Sequence, residues 1–155
     1  MKSTLLVLFA AVIISVTACA QKDTTIEKAQ TTIESEMVVD GLTIAWGMTF
    51  LPDGSMLITE KSGEIIHFKD GTKKQITGGP EVYQRGQGGL LDIILHPDYE
   101  ENGWIYLSYS SDEGEGDGGN TAIMRAKLSG NQITDQEVLY KGTPNSTRGQ
   151  HFGSR

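Results

Sequence analysis

The chain has 155 residues, among them 19 glycines, 4 prolines and one cysteine, and a formal net charge of −7. Glycine stands at about 12 %, above the ~7 % of average proteins, but so few prolines exclude a collagen or a Pro-rich linker. The acidity argues against a nucleic-acid partner, and a single cysteine excludes an internal disulfide and any Cys-based zinc cluster.

The first predicted element is an address. Lys2 is followed by an apolar run from Leu5 to Val16. That run is too short to cross a bilayer, which needs ~20 apolar residues. It fits the apolar core of a secretory signal. Val16-Thr17-Ala18-Cys19 resembles the lipobox of bacterial lipoproteins. Residues 1–18 are then a lipoprotein signal peptide, and Cys19 is a lipidated anchor, not a catalyst. An ordinary signal peptide with a chance cysteine is the alternative. The expected location is the periplasmic side of a bacterial envelope. Ala20 after the cysteine resembles the pattern of export to the outer membrane. Residues 19–37 are polar and cannot bury a core, so they read as a tether.

The body, residues 38–155, repeats itself. Phe50-Leu51-Pro52-Asp53-Gly54-Ser55-Met56-Leu57-Ile58-Thr59 has a counterpart in Leu95-His96-Pro97-Asp98 followed by Gly103-Trp104-Ile105-Tyr106-Leu107-Ser108. Each reads as apolar strand, Pro-Asp turn, apolar strand. A period of ~40–50 residues with short strands marks a β-propeller blade. The first repeat predicts strands at 47–51, 56–59, 64–68 and 74–76. The second predicts them at 90–95, 104–109, 122–128 and 138–140. Asp-Gly and Ser-Gly pairs supply the positive-φ positions that tight hairpins require.

Four strands per repeat make one blade, and a ring needs typically 4–8 blades. The body accounts for about two blades and the start of a third. The expectation is therefore an all-β, incomplete propeller domain, with completion by oligomerisation as the other possibility. Between the second and third strands of the later repeat lies Ser110–Asn120, with four carboxylates close together. Its spacing does not match an EF-hand loop, and a solvated flexible loop is expected.

Two segments stand apart from scaffold. Arg85-Gly86-Gln87-Gly88-Gly89 surrounds one glutamine with glycines, which would let a flat ligand approach the backbone while Gln87 hydrogen-bonds to it. Arg148-Gly149-Gln150-His151-Phe152-Gly153 places a histidine between glycines. Both precede the first strand of a repeat. In a propeller that strand lines the central channel, so Gln87 and His151 are expected to converge. Imidazoles suit general-base work because they titrate near ~6.5. On the residues alone, a structural histidine and a turn glutamine remain open. His67 reads as a solvent-facing strand position and His96 as a turn residue. Trp46 and Trp104 read as blade core; Met37, Met48, Met56 and Met124 read as packing. Gly86–Gly89 is not a phosphate loop, since no Gly-Lys-Ser/Thr follows.

These motifs, together with Leu95-His96-Pro97-Asp98, Ile105-Tyr106-Leu107-Ser108-Tyr109 and His151-Phe152-Gly153-Ser154-Arg155, resemble the glucose/sorbosone dehydrogenase family, the soluble aldose sugar dehydrogenases. The resemblance runs from Leu42 to Arg155. It implies a six-bladed propeller in the full-length protein, with pyrroloquinoline quinone and calcium as cofactors. It further implies oxidation of the C1 hydroxyl of an aldose to a lactone by hydride transfer to the quinone. His151 matches the family's catalytic base, and Gln87 the glutamine beside cofactor and substrate. The assisting aspartate and most cofactor- and calcium-binding residues lie, in the family, beyond the equivalent of Arg155. This stretch alone is therefore expected to be inactive. The electron acceptor is not specified. The competing reading is a non-catalytic envelope propeller lipoprotein that binds proteins or glycans. A metal-dependent lactonase would want carboxylates converging on the axis, and none are evident.

Overall fold

A computed structural model describes residues 32–153. The lipoprotein signal, Cys19 and most of the tether lie outside the described residues, as do Ser154 and Arg155. Residues from Glu36 onward form one unit, and the first strand begins at Ala45.

The first sheet comprises β1 (Ala45–Phe50), β2 (Met56–Glu60), β3 (Ile65–Lys69) and β4 (Thr72–Ile76). They pair in chain order, each antiparallel to the next. The turns explain the order. Asp53 accepts hydrogen bonds from the backbone N–H of Ser55 (3.0 Å) and from its hydroxyl (2.5 Å). It also pairs with Lys69 at 2.7 Å across the sheet. Asp70 and Gly71 both take positive φ, 49° and 74°. That is the two-residue hairpin whose twist matches its flanking strands.

The second sheet comprises β5 (Leu90–Leu95), β6 (Trp104–Ser111), β7 (Asn120–Ser129) and β8 (Gln132–Lys141), again in simple antiparallel order. Here the Pro-Asp turn is extended by one helical turn, α1 (Tyr99–Asn102). Gly103 closes it at φ 69°, its N–H donating to the Tyr99 carbonyl. The two sheets repeat in detail. β1 and β5 are offset by 45 residues, and their register slips at equivalent places, Ala45/Met48 and Leu90/Ile93. Two consecutive four-stranded meanders are two propeller blades. All eight expected strands are present. β8 is longer than expected because Asp135, at φ 50°, sits at a register slip that interrupts the alternation.

The blades meet through a shared core. Leu57, Ile65 and Ile76 of the first pack in one cluster with Leu90, Ile93, Ile105, Leu107 and Met124 of the second. A polar bridge crosses the seam. The buried Thr59 hydroxyl donates to the Leu91 carbonyl at 2.5 Å and accepts the Gly47 N–H at 2.9 Å. Gly47 has no room for a side chain, since a Cβ would lie 2.6 Å from the Asp92 carboxylate.

Several expectations need correction. Trp46, Met48 and Phe50 alternate on the face of β1 turned away from the second blade, and all are exposed. Trp104 is half-buried under the Arg125 guanidinium and the Lys127 ammonium, 4.4 and 4.8 Å from its ring. Neither tryptophan is in the buried core. Met37 is exposed as well, whereas Met56 and Met124 are buried. His67 is half-buried and hydrogen-bonded to the Ser55 hydroxyl at 2.8 Å. His96 does act within its turn. Its Nδ1 accepts the Asp98 N–H at 3.0 Å.

The acidic loop 112–119 is held, not free. The Asn145 amide donates to the carbonyls of Asp112 and Gly116 at 3.0 and 2.9 Å. Asn120 ties the Glu113 carbonyl and the Asn145 side chain together. Lys141 ion-pairs with Glu113, whose carboxylate raises the lysine's pKa.

Candidate functional site

The two site segments meet at one end of the second blade, beside the start of β5, the end of β6 and the start of β7. Residues 77–89 carry the chain from β4 to β5, and residues 142–153 leave β8. The Gln87 side-chain carbonyl accepts the His151 N–H at 3.0 Å. The Gln87 N–H donates to the Gly149 carbonyl at 2.8 Å. Gln87 and His151, which the sequence places 64 residues apart, are therefore direct hydrogen-bond partners. Both side chains are exposed.

The glycines have a reason beyond the one expected: they let the chain touch itself. A Cβ on Gly86 would collide with the Gly149 carbonyl. One on Gly88 would lie 2.6 Å from the Tyr83 carbonyl and 2.9 Å from the Phe152 ring. One on Gly89 would meet the Lys61 carbonyl. Gly88 and Gly89 are buried.

Side chains that the sequence did not mark hold this arrangement. Ser110, fully buried at the end of β6, accepts the Gly89 N–H at 2.6 Å and donates to the Tyr83 carbonyl at 2.7 Å. Lys61 brackets the glycine segment. Its ammonium donates to the Gly86 carbonyl, and its own carbonyl accepts the Leu90 N–H at 3.1 Å. Thr121, opposite Ser110 on β7, donates its hydroxyl to the Phe152 carbonyl. Phe152 is buried, edge-on to Tyr83 with ring centres 6.3 Å apart. A serine and a threonine in strands carry no sequence signal for such work.

His151 takes φ 63°, the left-handed region that side chains avoid. Gly149 and Gly153 on either side take 67° and 66°. A non-glycine residue kept in such a conformation is a pointer to function. Segments 85–89 and 147–153 contain Arg85 and Arg148 and no carboxylate, whereas the four-carboxylate loop 112–119 is hydrogen-bonded to the adjoining Asn145 and Ser146. An exposed amide and an imidazole suit a polar ligand. Among the described residues no group of three His, Cys, Asp or Glu side chains could hold a metal ion.

Comparison with known proteins gives this geometry its context. The family model for glucose/sorbosone dehydrogenase matches residues 42–155. The chain belongs to the glucose/sorbosone dehydrogenase family. It is 38 % identical over 132 residues to the aldose sugar dehydrogenase YliI of Escherichia coli, an alignment covering 82 % of this chain and 35 % of that protein. The apo crystal structure of the soluble aldose sugar dehydrogenase from Escherichia coli superposes with a TM-score of 0.69 over 74 % of this chain and 34 % of that one, at 38 % identity. The pyrroloquinoline quinone-bound aldose sugar dehydrogenase of Streptomyces coelicolor superposes with a TM-score of 0.59 at 29 % identity, covering 70 % and 33 %. The chain spans about a third of the length of the curated relatives it matches. The family match takes in both Gln87 and His151.

Proposed function

We propose that this chain is the N-terminal portion of a quinone-dependent aldose dehydrogenase that converts the C1 hydroxyl of a cyclic sugar into a lactone. The observation that carries the reading is the pairing of Gln87 with His151, whose exposed side chain is mounted on a left-handed backbone. A further observation supports the whole-domain reading. The outer faces of both blades are apolar and exposed: Trp46, Met48 and Phe50 on one side, Ile94, Ile123 and Tyr140 on the other. Further blades of a six-bladed ring would cover them, since blades bury their faces only against neighbours.

Each residue then has a role. His151 takes the proton of the C1 hydroxyl at a ring nitrogen. Departure of that proton drives the C1 hydrogen off as hydride, so the carbon loses two electrons and becomes the lactone carbonyl. Pyrroloquinoline quinone, when bound, supplies the acceptor for that hydride. Gln87 presents its amide NH2 to ligand oxygens, because its carbonyl is engaged by His151. Arg85 and Arg148, close in sequence to Gln87 and His151, would add positive charge for the quinone's carboxylates. Calcium, which the family resemblance implies, would be held mostly by carbonyls and carboxylates beyond the equivalent of Arg155.

The remaining features are also proposals: a lipid anchor at Cys19 on the periplasmic side, a tether to about residue 37, and an aldose as the partner. The test of the activity is turnover. The complete protein, reconstituted with quinone and calcium, should oxidise aldoses to lactones with an artificial acceptor. Absence of turnover, with glycan or protein binding in its place, would favour the non-catalytic reading.

A further inference from the structure

We propose that Thr121 is a positioning residue for His151, acting as the second jaw of a clamp whose first jaw is Gln87. The proposal rests on the reading of His151 as the base. Gln87 holds the backbone on the N-terminal side of the histidine, at its own N–H. Thr121 holds it on the C-terminal side, at the carbonyl of Phe152. Between the two grips the backbone sits at φ 63°. Glycine would adopt that conformation freely, but a base needs a side chain. That conformation is costly for an L-residue, and two side-chain hydrogen bonds flanking His151 hold it there.

The location of Thr121 strengthens the argument. It stands directly opposite Ser110 in the β6–β7 ladder. Ser110 ties down Gly89 and Tyr83 on the Gln87 segment, while Thr121 ties down Phe152 on the His151 segment. One cross-strand pair of hydroxyls thus grips both halves of the site, and the rigid blade sets their separation. Sites carried on strands are held more closely than sites on loops alone. The Thr121 backbone carbonyl adds a third tie by accepting the Gly142 N–H at 2.8 Å, where the chain leaves β8. The clamp also fixes which end of the Gln87 amide faces a ligand. Its carbonyl is taken, so the glutamine acts toward ligands as a donor.

The test uses the complete protein with Thr121→Val, which keeps the shape and the β-branch but removes the hydroxyl, and Thr121→Ser, which restores it. Two readouts are needed. Amide hydrogen exchange at His151, measured without cofactor, should rise about tenfold or more in the valine variant as the segment opens locally. In the loaded enzyme kcat should fall about tenfold while the sugar KM stays within about twofold, the pattern of a misplaced base. Serine should restore both. Unchanged exchange in Thr121→Val, or a serine variant that behaves like the valine one, would overturn the clamp. Faster exchange with unchanged kcat would contradict the role of His151 in the chemistry and not the clamp itself.

Discussion

Gly86→Ala distinguishes two costs that usually arrive together. Gly86 has φ 59°, and an added Cβ would strike the Gly149 carbonyl. Gly54 offers the matched control. Its φ is 81°, and a Cβ there meets nothing within 4 Å. Both alanines share the left-handed strain, about 1–2 kcal/mol. Only the Gly86 variant must also push one backbone segment away from another. Overpacking of that kind costs about 1–3 kcal/mol, and loss of the Gln87 N–H to Gly149 bond adds about 1 kcal/mol. Gly86→Ala should therefore destabilise by about 2–4 kcal/mol more than Gly54→Ala, read as urea midpoints of the complete protein. It should also cut sugar turnover by up to about 10²-fold, the effect of moving a catalytic group by ~1 Å. Gly54→Ala should leave turnover unchanged. Equal stability losses in the two variants would refute the close approach of the segments.

Other variants probe the scaffold. Thr59→Val removes the hydroxyl that bridges the blades, leaving the buried Gly47 N–H without its side-chain acceptor, and should cost about 1–3 kcal/mol in a urea melt. Asn145→Ala should release the acidic loop, seen as faster limited proteolysis between residues 112 and 119 with little change in the melting temperature. Asp53 should lend the first blade a pH dependence. Its carboxyl is held well below the usual carboxylate range, first by the hydrogen bond from Lys69, then by those from Ser55. A depressed carboxylate stabilises the fold above its unfolded value of about 4 and loses that contribution as the pH falls through the folded value. Asp53→Asn should therefore reduce stability near neutral pH and flatten its decline in acid, as followed by thermal melts across pH.

How much of this was legible in the sequence follows from where information sits in a β-propeller. Strands announce themselves through alternation and Asp-Gly or Pro-Asp turns, so all eight were readable, and the 45-residue offset named the blade. The convergence of Gln87 and His151 was readable because each sits in a glycine-rich segment outside the strands of a repeat. The reason for those glycines was not readable. Gly86 needs Gly149 close by, and that contact depends on the chain returning over the second blade. Nor was the burial of tryptophans readable, since an aromatic on a strand faces either a neighbouring blade or solvent, and alternation does not say which. Trp46 lies on the outer side of β1, and Trp104 under two cations. Asn145 and Thr121 left no trace at all. A polar residue that ties a distant loop is defined by the partner it reaches, and that partner appears only in three dimensions.

The central claim is that His151 takes the C1 hydroxyl proton during oxidation of an aldose. It is tested most directly by comparing the complete protein with its His151→Ala variant, both loaded with quinone and calcium, on an aldose carrying deuterium at C1. The wild type should form the lactone with a primary isotope effect. The alanine variant should lose turnover by about 10²–10⁴-fold while retaining its fold and its bound quinone. Lactone formation at a near-normal rate by the alanine variant would contradict the account.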